Sequence, residues 1–185
     1  EHDQPTKVQL KAGQAYFQNA VASHAFENVG KKPMRMLLVE LKQGVAPDQA
    51  PLDAAPDALK ASPDVYRKVF EDQHVRVLYA SWPAGKMDEM HSHPGLAGYY
   101  LTDVSAKLHE QFGHTEDITK KAGSVLFHES VKGHMFENTG DKPASMVLFE
   151  PKASAFGAAS AGGGAPRATS GGAASGGASA PAVSA

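Results

Sequence analysis

The stretch PAGKMDEMHSHPG, Pro83–Gly95, decides the fold of this chain and points to its chemistry. It contains a glycine, Gly85, followed by five residues and then by a His-x-His pair, His91 and His93. Side chains two positions apart on a β-strand project to the same face of the sheet. If the pair lies on a strand, we expect both imidazoles to point into one interior space.

A second stretch, AGSVLFHESVKGHMFEN (Ala122–Asn138), supplies a third histidine. Gly123 is its second residue, and His134 is followed four positions later by Asn138. A histidine on a neighbouring strand can complete a set of three imidazoles on one face, which suits Fe, Mn, Co, Ni, Cu or Zn. The sequence therefore predicts His91, His93 and His134 as metal ligands.

The segments around these histidines have the pattern of β-strands. VLFHESV, ASMVLFEP and HVRVLYASW are short apolar runs rich in β-branched and aromatic residues. Turn signals such as NTGDKP separate them. Strands that recur about every 8–12 residues between Gly and Pro predict an all-β sandwich or barrel.

The same ending occurs twice in the chain. Lys11–Gln43 aligns without a gap to Lys121–Ala153 at a constant offset (134 − 24 = 110 for the two histidines), and 16 of the 33 aligned positions are identical. Repeats of this kind indicate duplication of a structural unit. We therefore expect residues 11–43 to form the same set of strands as residues 121–153.

The two histidine motifs resemble those of the cupin superfamily, G(x)5HxH(x)3–4E(x)6G and G(x)5PxG(x)2H(x)3N. The matched residues are Gly85, His91, His93, Gly123, His134 and Asn138. The resemblance implies a small double-stranded β-helix (jelly-roll) barrel over Asp64–Lys152. The glutamate of the first motif would fall at Ala97 or Gly98, which cannot bind metal. Three histidine ligands remain where many members have four ligands.

The resemblance also implies a small-molecule pocket beside the histidines, and we place Tyr99, His128 and Asn138 there. Tyr99 shares a strand face with Ala97, one of the two positions where the resemblance puts the glutamate, and it points inward if Ala97 does. Three-histidine members activate dioxygen on small substrates, so a dioxygenase or isomerase acting through one divalent ion (Fe, Mn, Ni, Cu or Zn) is one hypothesis. The alternative is a metal-free, non-catalytic structural or accessory subunit. The sequence leaves open whether the protein is an enzyme and assigns no catalytic residue.

Four regions follow from these patterns. Residues 1–43 are the second half of a cupin repeat, 44–63 a Pro/Ala/Asp-rich linker with a helical turn at PDALKA, 64–153 a complete barrel, and 154–185 a Gly/Ala/Ser-rich tail. A half-barrel exposes unpaired strand edges. It therefore requires a missing first half, another chain or the intact barrel as a cover. The sequence favours a missing first half, as in a truncated two-cupin protein.

Composition limits the partners. The formal net charge is −2, with no cluster of Lys and Arg, which argues against a nucleic-acid partner. No apolar run approaches the roughly 20 residues that span a bilayer. We expect a homo-oligomer or a subunit of a larger complex, joined through edge strands. Because the chain begins at Glu1 instead of Met, we expect a cleaved secretory signal and a periplasmic or secreted location, with a fragment or a cytoplasmic protein as alternatives.

Overall fold

The structure, a computed structural model, describes residues 7–42, 48–49 and 54–156. The tail predicted at 154–185 lies outside the described residues except for its first three, and so does most of residues 43–53. The described elements are α1 (Ala58–Ala61), β1 (Tyr66–Glu71), β2 (Val75–Trp82), β3 (His91–His93), β4 (Leu96–Tyr100), β5 (Val104–Glu110), β6 (Thr115–Lys120), β7 (Val125–His128), β8 (Val131–Asn138), β9 (Ala144–Pro151) and a 3-10 turn at Ala153–Phe156. None of the described helices is long and apolar enough to cross a membrane.

The strands form two antiparallel sheets. One has the order β1-β2-β9-β4-β7 and the other the order β3-β8-β5-β6. Each sheet pairs strands distant in sequence, such as β2 with β9 and β5 with β8, and this crossed order is that of a jelly roll. The predicted all-β class and double-stranded β-helix barrel are confirmed.

The core lies between the two sheets. Alternate residues of β2 and β9, among them Leu78, Trp82 and Leu148, are buried together with Phe136 of β8 from the opposite sheet. The Trp82 and Phe136 rings are 4.5 Å apart, which joins the sheets directly. This alternation follows from the period of two along a strand. The same alternation decides which side chains can reach the barrel interior.

The half-barrel predicted for the N-terminus is not confirmed. Residues 7–42 contain no strand, and apolar side chains that the prediction would bury are exposed, with Phe26 at 53% and Leu38 at 73%. The Phe17 ring stacks on His74 at 4.1 Å, so the segment does touch the barrel. A strand is stable only when a neighbour pairs with its backbone groups. In this chain the strands that could pair with residues 11–43 are already paired with residues 121–153.

Candidate metal centre

Strand pairing brings the three predicted ligands together. His91 of β3 is the direct cross-strand partner of His134 of β8, so their side chains share a face. The register shifts between His91 and His93, where a bulge in β8 opposes Lys132 and Gly133 to Ser92. Because of this bulge, His91 and His93 each lie opposite an inward-facing residue of β8, namely His134 and Val131. All three histidine side chains therefore enter the barrel.

The three imidazoles converge through their Nε2 atoms. The Nε2 atom of His91 lies 3.0 Å from that of His93 and 3.0 Å from that of His134. One candidate ligand atom from each residue lies within 4.8 Å of the others. Nitrogen ligands lie about 2.0–2.1 Å from a bound first-row ion such as zinc. Three nitrogens this close together can therefore share one ion.

Hydrogen bonds on the other ring nitrogen fix the tautomer of two of the ligands. The Nδ1 of His91 lies 2.7 Å from the Glu89 carbonyl oxygen, and the Nδ1 of His93 lies 2.7 Å from Oε1 of Glu150. A carbonyl and a carboxylate only accept, so both Nδ1 atoms carry the proton. With both rings neutral, which is the form that binds a metal, their Nε2 lone pairs face each other across 3.0 Å. Two acceptors at that distance repel unless a positive centre lies between them, and this arrangement fits a metal cation.

Burial keeps His91 and His134 in the neutral state, which is the state that binds metal. Burial, aided by the nearby His93, lowers the pKa of His91 to about 4. Burial, aided by His91 and His93, lowers the pKa of His134 to about 2. The Nδ1 of His134 is buried without a hydrogen-bond partner among the described residues. At neutral pH protons therefore do not compete with a metal ion for these two side chains.

Glu150 anchors His93 through a chain of charged groups that the sequence analysis missed. Glu150 is 1% exposed at the inner end of β9, and its second oxygen pairs with Nε of Arg76 on β2. Arg76 also donates to Asp57 at 2.6 Å. A carboxylate behind a ligating imidazole holds the ring and raises its basicity as a ligand. The duplicated ending contained a signal for this residue, because Glu150 is matched by Glu40 at the repeat offset.

Tyr66 and Asp88 form a second group that the sequence did not reveal. The Tyr66 hydroxyl lies 3.0 Å from Nε2 of His91 and donates to Asp88 at 2.9 Å. Asp88 is 2% exposed and also accepts from Trp82 Nε1 at 2.9 Å and from the Phe136 backbone N–H at 2.7 Å. Burial, aided by the charge of Asp88, raises the pKa of Tyr66 well above its usual value. Tyr66 therefore presents a neutral hydroxyl oxygen to the point where the histidines meet.

A small apolar cavity of about 80 Å³ opens beside the histidines. Its walls are mainly apolar and aromatic, and His93, His134, Tyr66 and His128 supply its polar edge. No carboxylate of the described residues lines it. Pockets for drug-sized ligands are about 300–1,000 Å³, so this space suits a few water molecules or a small ligand.

The three predicted pocket residues lie in different places. His128 lines the cavity. Tyr99 does not, because β4 turns Leu96 and Tyr100 inward and leaves Ala97 and Tyr99 on the outer face. The prediction of Tyr99 assumed that Ala97 points inward, and the alternation along β4 is the reverse.

Asn138 is also not a cavity residue. Its amide is 1% exposed and donates to the carbonyl oxygens of Trp82, Pro83 and Lys142, while its oxygen accepts from the Gly140 N–H. These bonds attach the β8–β9 turn to the end of β2. The role of Asn138 is therefore to hold a turn near the core.

Several solved structures are similar to this chain. A cupin domain from Bordetella pertussis Tohama I is 19% identical over 54% of this chain and 97% of its own, with a TM-score of 0.46. A protein with a double-stranded β-helix domain from Klebsiella pneumoniae is 19% identical over 49% of this chain and 78% of its own, with a TM-score of 0.41. A cupin superfamily protein from Desulfitobacterium hafniense is 14% identical over 48% of this chain and 76% of its own, with a TM-score of 0.37.

No protein-family model matches the sequence, and the comparison with curated proteins returns no significant match. The fold is assigned from this chain's own strand order. That order, with the histidines meeting inside the barrel, confirms the resemblance to the cupin superfamily at the level of the fold.

Proposed function

We propose that this protein binds one divalent transition-metal ion through the Nε2 atoms of His91, His93 and His134. The observation that carries the proposal is the convergence of the three Nε2 atoms, with that of His91 3.0 Å from those of both His93 and His134, while Nδ1 of His91 and of His93 is hydrogen-bonded elsewhere. An ion at this point would replace the repulsion between nitrogens with three bonds. Imidazole sets of this kind accept Fe, Mn, Ni, Cu or Zn, and the ligand types do not select among these.

We further propose that the bound ion serves chemistry on a small molecule, of the dioxygenase or isomerase type. A bound ion of this class supplies Lewis-acid or dioxygen chemistry. The chain's own residues supply the apolar cavity, which has room for only a small ligand. Tyr66 lies at the edge of that cavity with its hydroxyl oriented by Asp88, where it can hydrogen-bond a ligand of the ion.

A second candidate function is that of a metal-free structural or accessory subunit. The absence of a carboxylate from the described cavity lining favours it, because no carboxylate base stands ready for proton abstraction. The two candidates differ in metal content, and a single measurement separates them.

The test is metal analysis of the untagged protein by inductively coupled plasma mass spectrometry after purification without chelators. We expect close to one ion per chain in the wild type and less than a tenth of that in the double variant His91→Ala/His93→Ala. His114→Ala, on the exposed turn between β5 and β6, is the matched control and should retain the wild-type content. A wild-type protein that takes up no ion, even after incubation with each candidate metal, would favour the metal-free subunit.

A further inference from the structure

The N-terminal repeat retains the inward-facing side chains of the barrel strands it duplicates. Along β8 and β9 the inward-facing residues line the cavity or are buried near it. All but one of these eight residues are identical in the repeat: Val131, His134, Phe136, Asn138, Met146, Leu148 and Glu150 correspond to Val21, His24, Phe26, Asn28, Met36, Leu38 and Glu40, whereas Ala144 corresponds to Met34. Of the other positions in β8 and β9, only Glu137 is matched, by Glu27. The duplicated features are therefore those of a barrel interior.

The turns of the repeat are already formed. Asn28 donates to the Lys32 carbonyl at 2.9 Å and accepts from the Gly30 N–H at 3.0 Å. Asn138 makes the same two bonds with Lys142 and Gly140. Gly13 and Gly123 both have a positive φ, 79° and 87°, at the start of each copy. The turn at residues 28–32 and the conformation of Gly13 thus match their counterparts in residues 121–152, although the strands between them are not formed.

The repeat also lies beside the strands that its copy occupies. Residues 37–40 and the outer faces of β4, β7 and β9 enclose a hollow, with Tyr99, Phe127 and Phe149 on the barrel side. Leu38 corresponds to the buried Leu148 and is 73% exposed. The repeat thus has the sequence of apolar strands, lies next to a sheet and exposes the side chains that its copy buries. Burial of these side chains in the barrel would be favourable.

We propose that residues 11–42 can take the place of residues 121–152 in the barrel, so that His24 and not His134 completes the histidine set and Glu40 replaces Glu150 behind His93. The segment that enters the barrel and the barrel that receives it belong to the same chain. Residues 64–120 then serve as the common first half for either copy. The alternative state is a circular permutation of the barrel, because its second half precedes its first half in sequence.

The chain is long enough for this rearrangement. The end of β9 lies beside the start of β2, with the Lys152 N–H donating to the His74 carbonyl at 2.7 Å. From there the chain would have to return along β1 to reach Tyr66, about 20 Å at strand rise. Residues 43–56 link the repeat to Asp57, and at about 3.3 Å per residue they can span roughly 40 Å. The connection is therefore not strained.

The C-terminal copy is the better fit, in agreement with the state that the structure shows. Ala144 is 1% exposed, and its counterpart Met34 would place a larger side chain in the same closed space. Leu126, which lines the cavity, corresponds to Tyr16. The barrel completed by residues 11–42 is thus a minor state. Its population rises when substitutions destabilise the packing of residues 121–152 in the barrel.

A cross-linking experiment tests the exchange without reference to metal. The chain has no cysteine. Ser81 of β2 pairs with Ser145 of β9, whose counterpart in the repeat is Arg35. In a redox buffer, the double variant Ser81→Cys/Arg35→Cys should accumulate an intramolecular disulfide at least about threefold above Tyr79→Cys/Arg35→Cys, which places the partner cysteine on the same face of β2 but two residues out of register. Ser81→Cys/Ser145→Cys is the positive control for the resting barrel. Equal cross-linking of the Ser81 and Tyr79 variants would overturn the proposal.

Metal binding provides the second arm, and this arm rests on the proposed function. In isothermal titration with Zn²⁺ or Ni²⁺, His134→Ala should bind at least about tenfold more tightly than His134→Ala/His24→Ala, because His24 replaces the lost ligand. His134→Ala/His114→Ala is the matched control and should bind like His134→Ala. If the wild type binds metal but the first two variants bind equally weakly, the exchange is refuted while the proposed metal site stands. If the wild type binds no metal, the proposed function fails and the cross-link alone decides the exchange.

Discussion

Oε1 of Glu150 accepts a hydrogen bond from Nδ1 of His93 at 2.7 Å, and the other oxygen of the same carboxylate pairs with Arg76. Glu150 thereby joins a ligating imidazole of β3 to a cation on β2. Both side chains of the His93–Glu150 pair are almost fully buried. We therefore expect the carboxylate to influence metal affinity through the orientation of His93 and stability through Arg76.

Replacing Glu150 with Gln should weaken metal binding by about 10- to 100-fold, the usual effect of losing a carboxylate behind a ligating histidine. It should also lower the free energy of unfolding of the metal-free protein by roughly 3 kcal/mol, since Arg76 loses a buried partner. Glu71→Gln is the control, because the Glu71 pairs with Lys68 and Lys152 are at the surface and should cost less than about 1 kcal/mol. Metal titration and urea denaturation measure the two effects. An unchanged affinity in Glu150→Gln would show that His93 is oriented without it.

Acid should destabilise the metal-free protein below about pH 6.5. Burial lowers the pKa of His91 to about 4 and that of His134 to about 2, whereas an unfolded histidine has a pKa near 6.5. The unfolded chain therefore binds more protons as the pH falls below 6.5, and stability decreases towards the folded pKa values. Between pH 6.5 and 5, each group should cost up to about 2 kcal/mol.

Urea denaturation of chelator-treated protein at several pH values measures this loss. His91→Gln should flatten the decrease between pH 6.5 and 5, because it removes one of the two depressed groups. His114→Gln, at an exposed position, should leave the decrease unchanged. A wild-type stability that stays constant from pH 7 to 5 would contradict the assignment of neutral, buried imidazoles.

Replacing Asp88 with Ala should be strongly destabilising. Asp88 accepts from the Tyr66 hydroxyl, the Trp82 indole and the Phe136 N–H, and its removal leaves three buried donors without a partner. At about 1–3 kcal/mol for each unsatisfied group, a loss of at least 3 kcal/mol is expected. Tyr66→Phe removes one of those donors together with its hydrogen bond and should cost only about 1 kcal/mol. Chemical denaturation provides both values, and similar losses in the two variants would refute the three-donor account.

The paired variants Asn138→Ala and Asn28→Ala compare one residue type in two settings. Asn138 is buried and bonds to Trp82 and Pro83 as well as to its own turn, whereas Asn28 bonds to Lys32 and Gly30 in its own turn. We expect Asn138→Ala to lower the free energy of unfolding by roughly 3 kcal/mol and Asn28→Ala by less than about 1 kcal/mol. Thermal and urea denaturation measure the difference. Equal effects would mean that Asn28 also makes long-range contacts in solution.

The sequence predicted those features of the site that depend on neighbouring residues. The i and i+2 spacing of His91 and His93 is sufficient to put both on one face of a strand. The motif spacing predicted that His134 would meet them, and its pairing with His91 confirms this. The alternation along β4 is compatible with either face of the strand being the inner one. The prediction took the face that carries Tyr99, whereas Tyr100 is the residue that lines the cavity.

The tertiary structure alone decided which residues support the histidines. Tyr66 lies 25 residues from His91 in sequence and Glu150 lies 57 residues from His93, and no local pattern relates them to the histidines. Asp88 is only three residues from His91, but its hydrogen bonds to Tyr66 and Phe136 depend on the folded barrel. The two copies of the repeat show the physical reason. Their turns, closed by hydrogen bonds between residues two to four positions apart, form in both copies. Their strands form only where distant segments pair with them, because a strand's hydrogen bonds must be supplied by another strand and each such pairing has to offset the entropy of closing a long loop.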